Sequence, residues 1–304
     1  MSEYIMTQMH IEAARNSTDD FNLFHDKNRW HKIKDNPFQG PVALGFQLGC
    51  FVEDQVNRSS KSYERQRNNA AKPQISCKPL NFSQYELTFA GSVKPGDDIA
   101  LVVRDGRLSS ISDIECFSNR IALKANGKTV LLGYKRETSE HIVKGISPLP
   151  ELADIINSDD RCFISCEQYF VKRKYMIVGN AKNFLTSAFA EQSEYIDEFV
   201  DKVSFPEMYP LSLISSALLE RAQAVGQDLI EEPMIYISHK LSIDKDVIST
   251  LKSNDCLNIL VSPPQKPADE NSAYVVHKCT CVLSTQTILF HAEIQLAPLS
   301  SLLK

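Results

Sequence analysis

No apolar run in these 304 residues reaches the ~20 that a helix needs to cross a bilayer, which excludes a membrane-spanning helix. Basic charge does not dominate either. Against 38 Asp and Glu stand 33 Lys and Arg, a net charge of −5, which gives no electrostatic footing for nucleic acid. The densest basic stretch, residues 58–72, is interleaved with Ser, Asn and Gln as a solvated loop is. The N-terminus MSEYIMTQMH lacks a basic region followed by an apolar core, so no secretory signal is expected. Gly-rich phosphate loops, a Ser/His/Asp set and metal-ligand clusters are all missing, so neither a metal nor a separate cofactor is expected. The eight cysteines, Cys50, Cys77, Cys116, Cys162, Cys166, Cys256, Cys279 and Cys281, sit mostly in apolar or strand-like contexts. The close pairs Cys162/Cys166 and Cys279/Cys281 have no second pair at zinc spacing. The pattern is that of reduced, buried thiols in a cytoplasmic protein.

What is present centres on residues 17–58. A polar turn, Asp20-Phe21-Asn22-Leu23-Phe24-His25, sets a carboxylate and an imidazole five residues apart. A mixed linker with Trp30, His31 and Pro37 follows, and Gly40-Pro41 then opens a run from Val42 to Val56 that is apolar almost all round. Proline costs nothing at a helix start, because its missing N–H would be unpaired there anyway. The run therefore predicts a helix over 42–56, buried within its own domain. An acid/base pair would stand just upstream of that helix's exposed N–H groups.

Beyond a polar loop expected over 57–72, the pattern changes to strands. Residues 85–89 alternate, 94–97 turn, 99–103 are continuously apolar, and 110–117 and 121–124 are extended. Asn126-Gly127 is a hairpin signal before 130–134. With no helical period between them, these strands should pair antiparallel. Residues 146–160, with Pro148 and Pro150, form the expected linker between a first half, 1–145, and a second, 161–304. The second half repeats the plan: a strand at 162–171, an amphipathic stretch near 181–199, a second apolar helix opened by Pro210 over 211–224, then strands at 235–243, 256–261, 273–283 and 288–296. The repeat is one of architecture, not of residues. The class is α+β, each half an antiparallel sheet wrapped around one buried helix.

Asp20 to His25 resembles the D-x-N-P-(L/I/V)-H signature of the MaoC-like, (R)-specific enoyl-CoA hydratases, a family of hotdog-fold proteins. Phe38-Gln-Gly-Pro-Val-Ala-Leu-Gly45 is similar to that family's F-x-G-x-(I/V)-A-H-G segment at the mouth of the hotdog helix. Val93-Lys-Pro-Gly-Asp97 resembles its P-x-x-P-G-D turn, and Ser118-Asn119 with Asn126-Gly127 its N-x-x-G hairpin. These matches run in order across 17–134, while 150–304 match only in plan, as in a double hotdog. The departures are Leu23 for the family's proline, Thr18-Asp19 for Ser-Gly, Lys27 for an acid, and Leu44 for the helix-mouth histidine.

The resemblance implies a lyase, a hydratase or dehydratase of β-hydroxyacyl/enoyl thioesters, with CoA or phosphopantetheine present only as part of the substrate. Asp20 and His25 would hold and polarise the water as the catalytic pair. Asn22 would orient the turn, and the backbone N–H of Gly45 or of Leu44 would bind the thioester carbonyl, where the helix dipole favours negative charge. The implied partner is an acyl-CoA or an acyl-carrier-protein thioester, with no nucleic acid and no membrane, and with room for a homodimer. In the second half the corresponding stretch, residues 187–194, reads SAFAEQSE and carries no such pair. Two readings stand beside catalysis. One is a non-catalytic acyl-thioester-binding or partner subunit with the hotdog fold. The other is a hotdog thioesterase or acyltransferase. On the plainest alternative for the residues themselves, Asp20 caps a helix and His25 lies on a surface turn.

Overall fold

In the computed structural model, which describes residues 4–67, 79–111, 113–165, 168–266 and 273–301 (backbone only over 60–67), the apolar run after Gly40 becomes a helix that starts and ends later than the sequence suggests. Pro41 does not open it. The Val42 N–H donates to the Phe24 carbonyl at 2.9 Å and the Ala43 N–H to that of Val93 at 2.8 Å, and neither residue is helical. The helix begins at Gly45 and runs to Arg67, taking in residues 57–67 that were expected as loop. Cys77 and Cys166 lie outside the described residues, and the six described cysteines are unpaired.

The first half comprises strand β1 (Tyr4–Ile5), helices α1 (Gln8–Thr18) and α2 (Gly45–Arg67), and strands β2 (Phe82–Phe89), β3 (Asp98–Val103), β4 (Arg107–Ile111), β5 (Ile114–Ala125) and β6 (Lys128–Thr138). Helix α3 (Leu152–Asn157) follows. The second half holds β7 (Cys162–Ile164), β8 (Tyr169–Tyr175), α4 (Val178–Ser187), the short hairpin β9 (Ile196–Asp197) and β10 (Lys202–Val203), and helices α5 (Met208–Ser212) and α6 (Ile214–Ala224). It ends with β11 (Met234–Asp244), α7 (Lys245–Ser249), β12 (Cys256–Val261), β13 (Val275–Leu283) and β14 (Ile288–Pro298). The order strand, helix, turn, buried helix, sheet thus occurs twice. Asn126 and Gly127 both have positive φ, 49° and 77°, as the two-residue turn between β5 and β6 demands.

All strand pairs are antiparallel. The two expected sheets are fused, because β2 pairs with β11. The resulting order is β1-β3-β5-β6-β2-β11-β14-β13-β12-β8-β7, with β4 added on β5. Joining the halves through what would otherwise be two open edges satisfies both rows of backbone groups. The buried faces of α2, α5 and α6 share one apolar core with the sheet around them. This is a double hotdog. Residues 146–160 pack on the second half: Ile155 of α3 is fully buried, in a cluster with Ile146, Tyr169, Val171, Leu260 and Val282.

Helix α2 also anchors the second half through a buried acid. Glu53 accepts the N–H groups of Glu207 at 2.8 Å and Met208 at 2.9 Å, capping the start of α5. Glu207 in turn accepts from Tyr85 Oη at 2.5 Å and Ser83 Oγ at 2.7 Å. Burial, and after it the Glu207 carboxylate, push the Glu53 pKa up to about 8, against the opposing pull of those two N–H groups. Because the folded value lies above the ordinary 4.5, the stabilisation linked to this proton is full below the unfolded pKa. It is lost as pH rises through about 8. The melting temperature of the wild type relative to Glu53→Gln should therefore fall between pH 5 and pH 9. Parallel pH curves for the two proteins would show that Glu53 carries no such linkage.

Candidate functional site

Helix α1 ends at Asp19, which takes the left-handed conformation (φ 52°) and turns the chain sharply. The Asp20 N–H returns to the Arg15 carbonyl at 3.0 Å, and Arg15 Nε donates to the Asp20 carbonyl at 3.1 Å. Arg15 also pairs with Asp26 at 2.9 Å, so one guanidinium grips both ends of the turn. Inside it, Asp20 Oδ1 accepts the Asn22 N–H at 2.9 Å and Asn22 Oδ1 accepts the Phe24 N–H at 3.1 Å. These are the local side-chain bonds that favour Asp and Asn in turns.

This geometry brings Asp20 and His25 together. Asp20 Oδ2 lies 3.9 Å from His25 Nε2, and both residues are buried, 2% and 5% exposed. His25 is thus not on a surface turn. His25 Nδ1 lies 2.7 Å from the Val42 carbonyl, which can only accept, so Nδ1 carries a proton and donates it there while Nε2 faces the carboxylate.

The second half supplies the rest of this environment. Ser215 of α6 donates to Asp20 Oδ2 at 2.6 Å, and its Oγ lies 2.8 Å from the Tyr236 hydroxyl on β11. Burial and the Asp20 carboxylate push the Tyr236 phenol well up, so it stays protonated and can donate to Ser215. Sequence reasoning missed both residues, which stand 195 and 216 positions beyond Asp20. The one available signal is Ser215-Ser216 near the start of a mostly apolar helix.

His25 and Asn22 line a cavity of about 420 Å³ at the mouth of α2, together with Phe38, Gly45, Phe89 and Ile235. Asp20 does not line it and reaches it only beside His25. Gly45 lines the cavity. It begins the helix, where the first-turn N–H groups have no partner within the helix. A Cβ there would come within 2.9 Å of Phe89 and 3.1 Å of His239. Leu44 is a correction: its N–H is taken by Gln47 Oε1 at 3.3 Å, and the residue is buried without lining the cavity. The donor left for a carbonyl is Gly45, because Gln47 caps the residue before it.

Of the other histidines, His239 is fully buried. Its ring stacks on Phe46 at 4.4 Å and meets the rings of Phe89 and Tyr236, and neither nitrogen has a partner among the described residues. Burial holds its pKa down to about 3, so it is neutral. His31 is exposed and lines no cavity described here. Lys172, Arg173 and Lys174 do not form a charged loop but lie in β8, each side chain with a partner. Lys172 meets Asp160 and Glu220, and Lys174 meets Asp19. Arg173 donates to the Ile156 and Ser158 carbonyls. In the second half, residues 187–194 close α4 and hold no acid/imidazole pair. Among the described residues, no three His, Cys, Asp or Glu side chains are placed to hold a metal ion, and no helix is long and apolar enough to cross a membrane.

No protein-family model and no curated protein sequence matches this chain. Solved structures do. It is similar to the MaoC domain protein dehydratase from Chloroflexus aurantiacus, with a TM-score of 0.60 at 9% identity over 98% of this chain and 93% of that one. A conserved hypothetical protein with a double hotdog fold from Mycobacterium tuberculosis superposes with a TM-score of 0.58 at 12% identity, over 97% and 93% of the two chains. The MaoC-like dehydratase from Phytophthora capsici gives 0.56 at 11% identity, over 99% and 96%. At such identities the likeness extends to the fold.

Proposed function

We propose that this double hotdog is a hydro-lyase that interconverts enoyl and 3-hydroxyacyl thioesters, carried on CoA or on an acyl-carrier protein, with one site in the first half. The observation that carries the reading is the buried Asp20–His25 pair, 3.9 Å apart and beside a largely apolar cavity whose far wall is the start of a helix. In the hydration direction the water held between Asp20 Oδ2 and His25 Nε2 attacks the β-carbon and gives its proton to Nε2 as the C–O bond forms. The C=C electron pair moves onto the thioester oxygen, which the Gly45 N–H and the helix dipole favour. Collapse of that enolate takes one proton from the Asp20–His25 pair at the α-carbon, so the net change is addition of one water. Val42 holds the imidazole tautomer, and Ser215 with Tyr236 holds the carboxylate.

Hydro-lyase activity predicts that purified protein removes the conjugated absorbance of a crotonyl thioester in a saturable way, without releasing thiol. Thiol release would identify a thioesterase. Absence of both, with the thioester still binding, would identify the binding-protein reading, which Leu44 at the helix mouth and the enclosure of Asp20 favour.

A further inference from the structure

A second cavity, of about 650 Å³, lies on the other side of the turn and shares Asn22, Phe24, Met234 and Tyr236 with the first. The two are therefore neighbours, and His25 lines the first of them. The second cavity is walled largely by apolar side chains, Leu218, Leu219 and Ile230 among them, and carries one feature that an apolar ligand does not explain. Arg221 of α6 lines it at 9% exposure, and its buried Nε has no hydrogen-bond partner.

Among the described residues no acid pairs with Arg221. Asp228 also lines the cavity, its Oδ1 accepting the N–H groups of Ile230 and Glu231 at 2.8 and 3.0 Å, but it makes no ion pair with Arg221. Arg15 is matched by Asp26, and Arg29 is exposed. The Cys279 thiol is fully buried, which pushes its pKa well up, so it is no counter-ion. His277 gives its Nδ1 proton to the Ser262 carbonyl at 2.9 Å and is held neutral by burial, its pKa near 4. The last turn of α6 offsets part of the charge on Arg221 through the helix dipole, by about half a charge at most. An unmatched guanidinium in a largely apolar cavity costs desolvation energy that a bound anion would offset.

We infer that this cavity takes the far end of an acyl chain that bears a second carboxylate, with Arg221 as its counter-ion, so that the substrates are thioesters of dicarboxylic acids. The inference rests on the acyl-thioester reading above. Distance favours a carboxylate over a phosphate of the carrier. Ser215, which holds Asp20, and Arg221 are six residues apart on one helix, about 9 Å along its axis. The pantetheine arm between a thioester sulfur and the nearest phosphate has the backbone length of four to five residues, about 15 Å extended. A medium acyl chain spans the shorter distance.

The test is equilibrium binding of two saturated, unreactive thioesters of equal chain length, one ending in methyl and one in carboxylate. Each is prepared on CoA and on phosphate-free pantetheine. The full chain should prefer the carboxylate by about tenfold or more on either carrier, as a charge-assisted bidentate pair provides. Arg221→Met should abolish that preference, Arg221→Lys should restore part of it, and the melting temperature of ligand-free Arg221→Met should rise, because an unmatched charge is removed. A wild type that does not discriminate overturns the inference by itself, whether or not the variants fold. So does a wild-type preference that survives Arg221→Met, or a loss in that variant confined to CoA over pantetheine, which would make the anion a phosphate. Turnover is read separately: a carboxylate preference in a chain that never hydrates an enoyl thioester sinks the hydro-lyase and keeps the anion site.

Discussion

Asp20→Asn and His25→Asn should each lower kcat by at least ~10²-fold on an enoyl thioester, the usual contribution of a positioned acid or base. These conservative substitutions are needed because both side chains are buried and bonded. Asn at 20 still accepts from the Asn22 N–H, and Asn at 25 still offers a donor toward the Val42 carbonyl. His25→Ala would leave that carbonyl unpaired at a cost of ~1–3 kcal/mol, confusing chemistry with stability. If the pair shares one water, as proposed, the double variant should be little slower than the slower single. Activity retained in both, with a fall in the unfolding midpoint, would mean that the residues only staple the turn. The binding-protein reading would then lead.

Gly133→Ala should destabilise the chain by about 3 kcal/mol or more, with activity falling alongside. Gly133 of β6 faces Leu87 of β2, and a Cβ at this position would lie 1.8 Å from the Glu86 carbonyl oxygen and 2.9 Å from its carbon. Both are backbone atoms of a strand paired on each side, so relief requires β2 itself to move. That strand carries Phe89 into the cavity and bonds to β11, which carries Tyr236. A denaturant midpoint within ~0.5 kcal/mol of wild type would contradict this register of β2 on β6. Gly179→Ala serves as the control: a Cβ meets nothing within 4 Å in the first turn of α4, and the change should be neutral or slightly stabilising.

Periodicity made the strands legible. Residues 256–261 were expected as a strand and are one, and the Asn126-Gly127 turn sits where two positive φ values are required. It failed at helix ends, because the N–H groups of Val42 and Ala43 are captured by Phe24 and Val93, partners that no local pattern reveals. It failed also over 57–67, where a polar stretch continues the helix.

The sequence by itself determined that an acid and an imidazole sit five residues apart before a buried helix, that the sheets are antiparallel, and that the plan occurs twice. These follow from spacing and alternation, which are properties of neighbours along the chain. Only the tertiary structure decided that His25 is buried with Nε2 turned to Asp20, that Ser215, itself bonded to Tyr236, holds the carboxylate, and that Arg221 lies unmatched by any described acid in the neighbouring cavity. The pairing of β2 with β11 brings those groups together from two halves nearly two hundred residues apart. Hydrogen bonds and Coulomb forces act through space over a few ångströms, and the distance between two residues in the chain does not encode that separation.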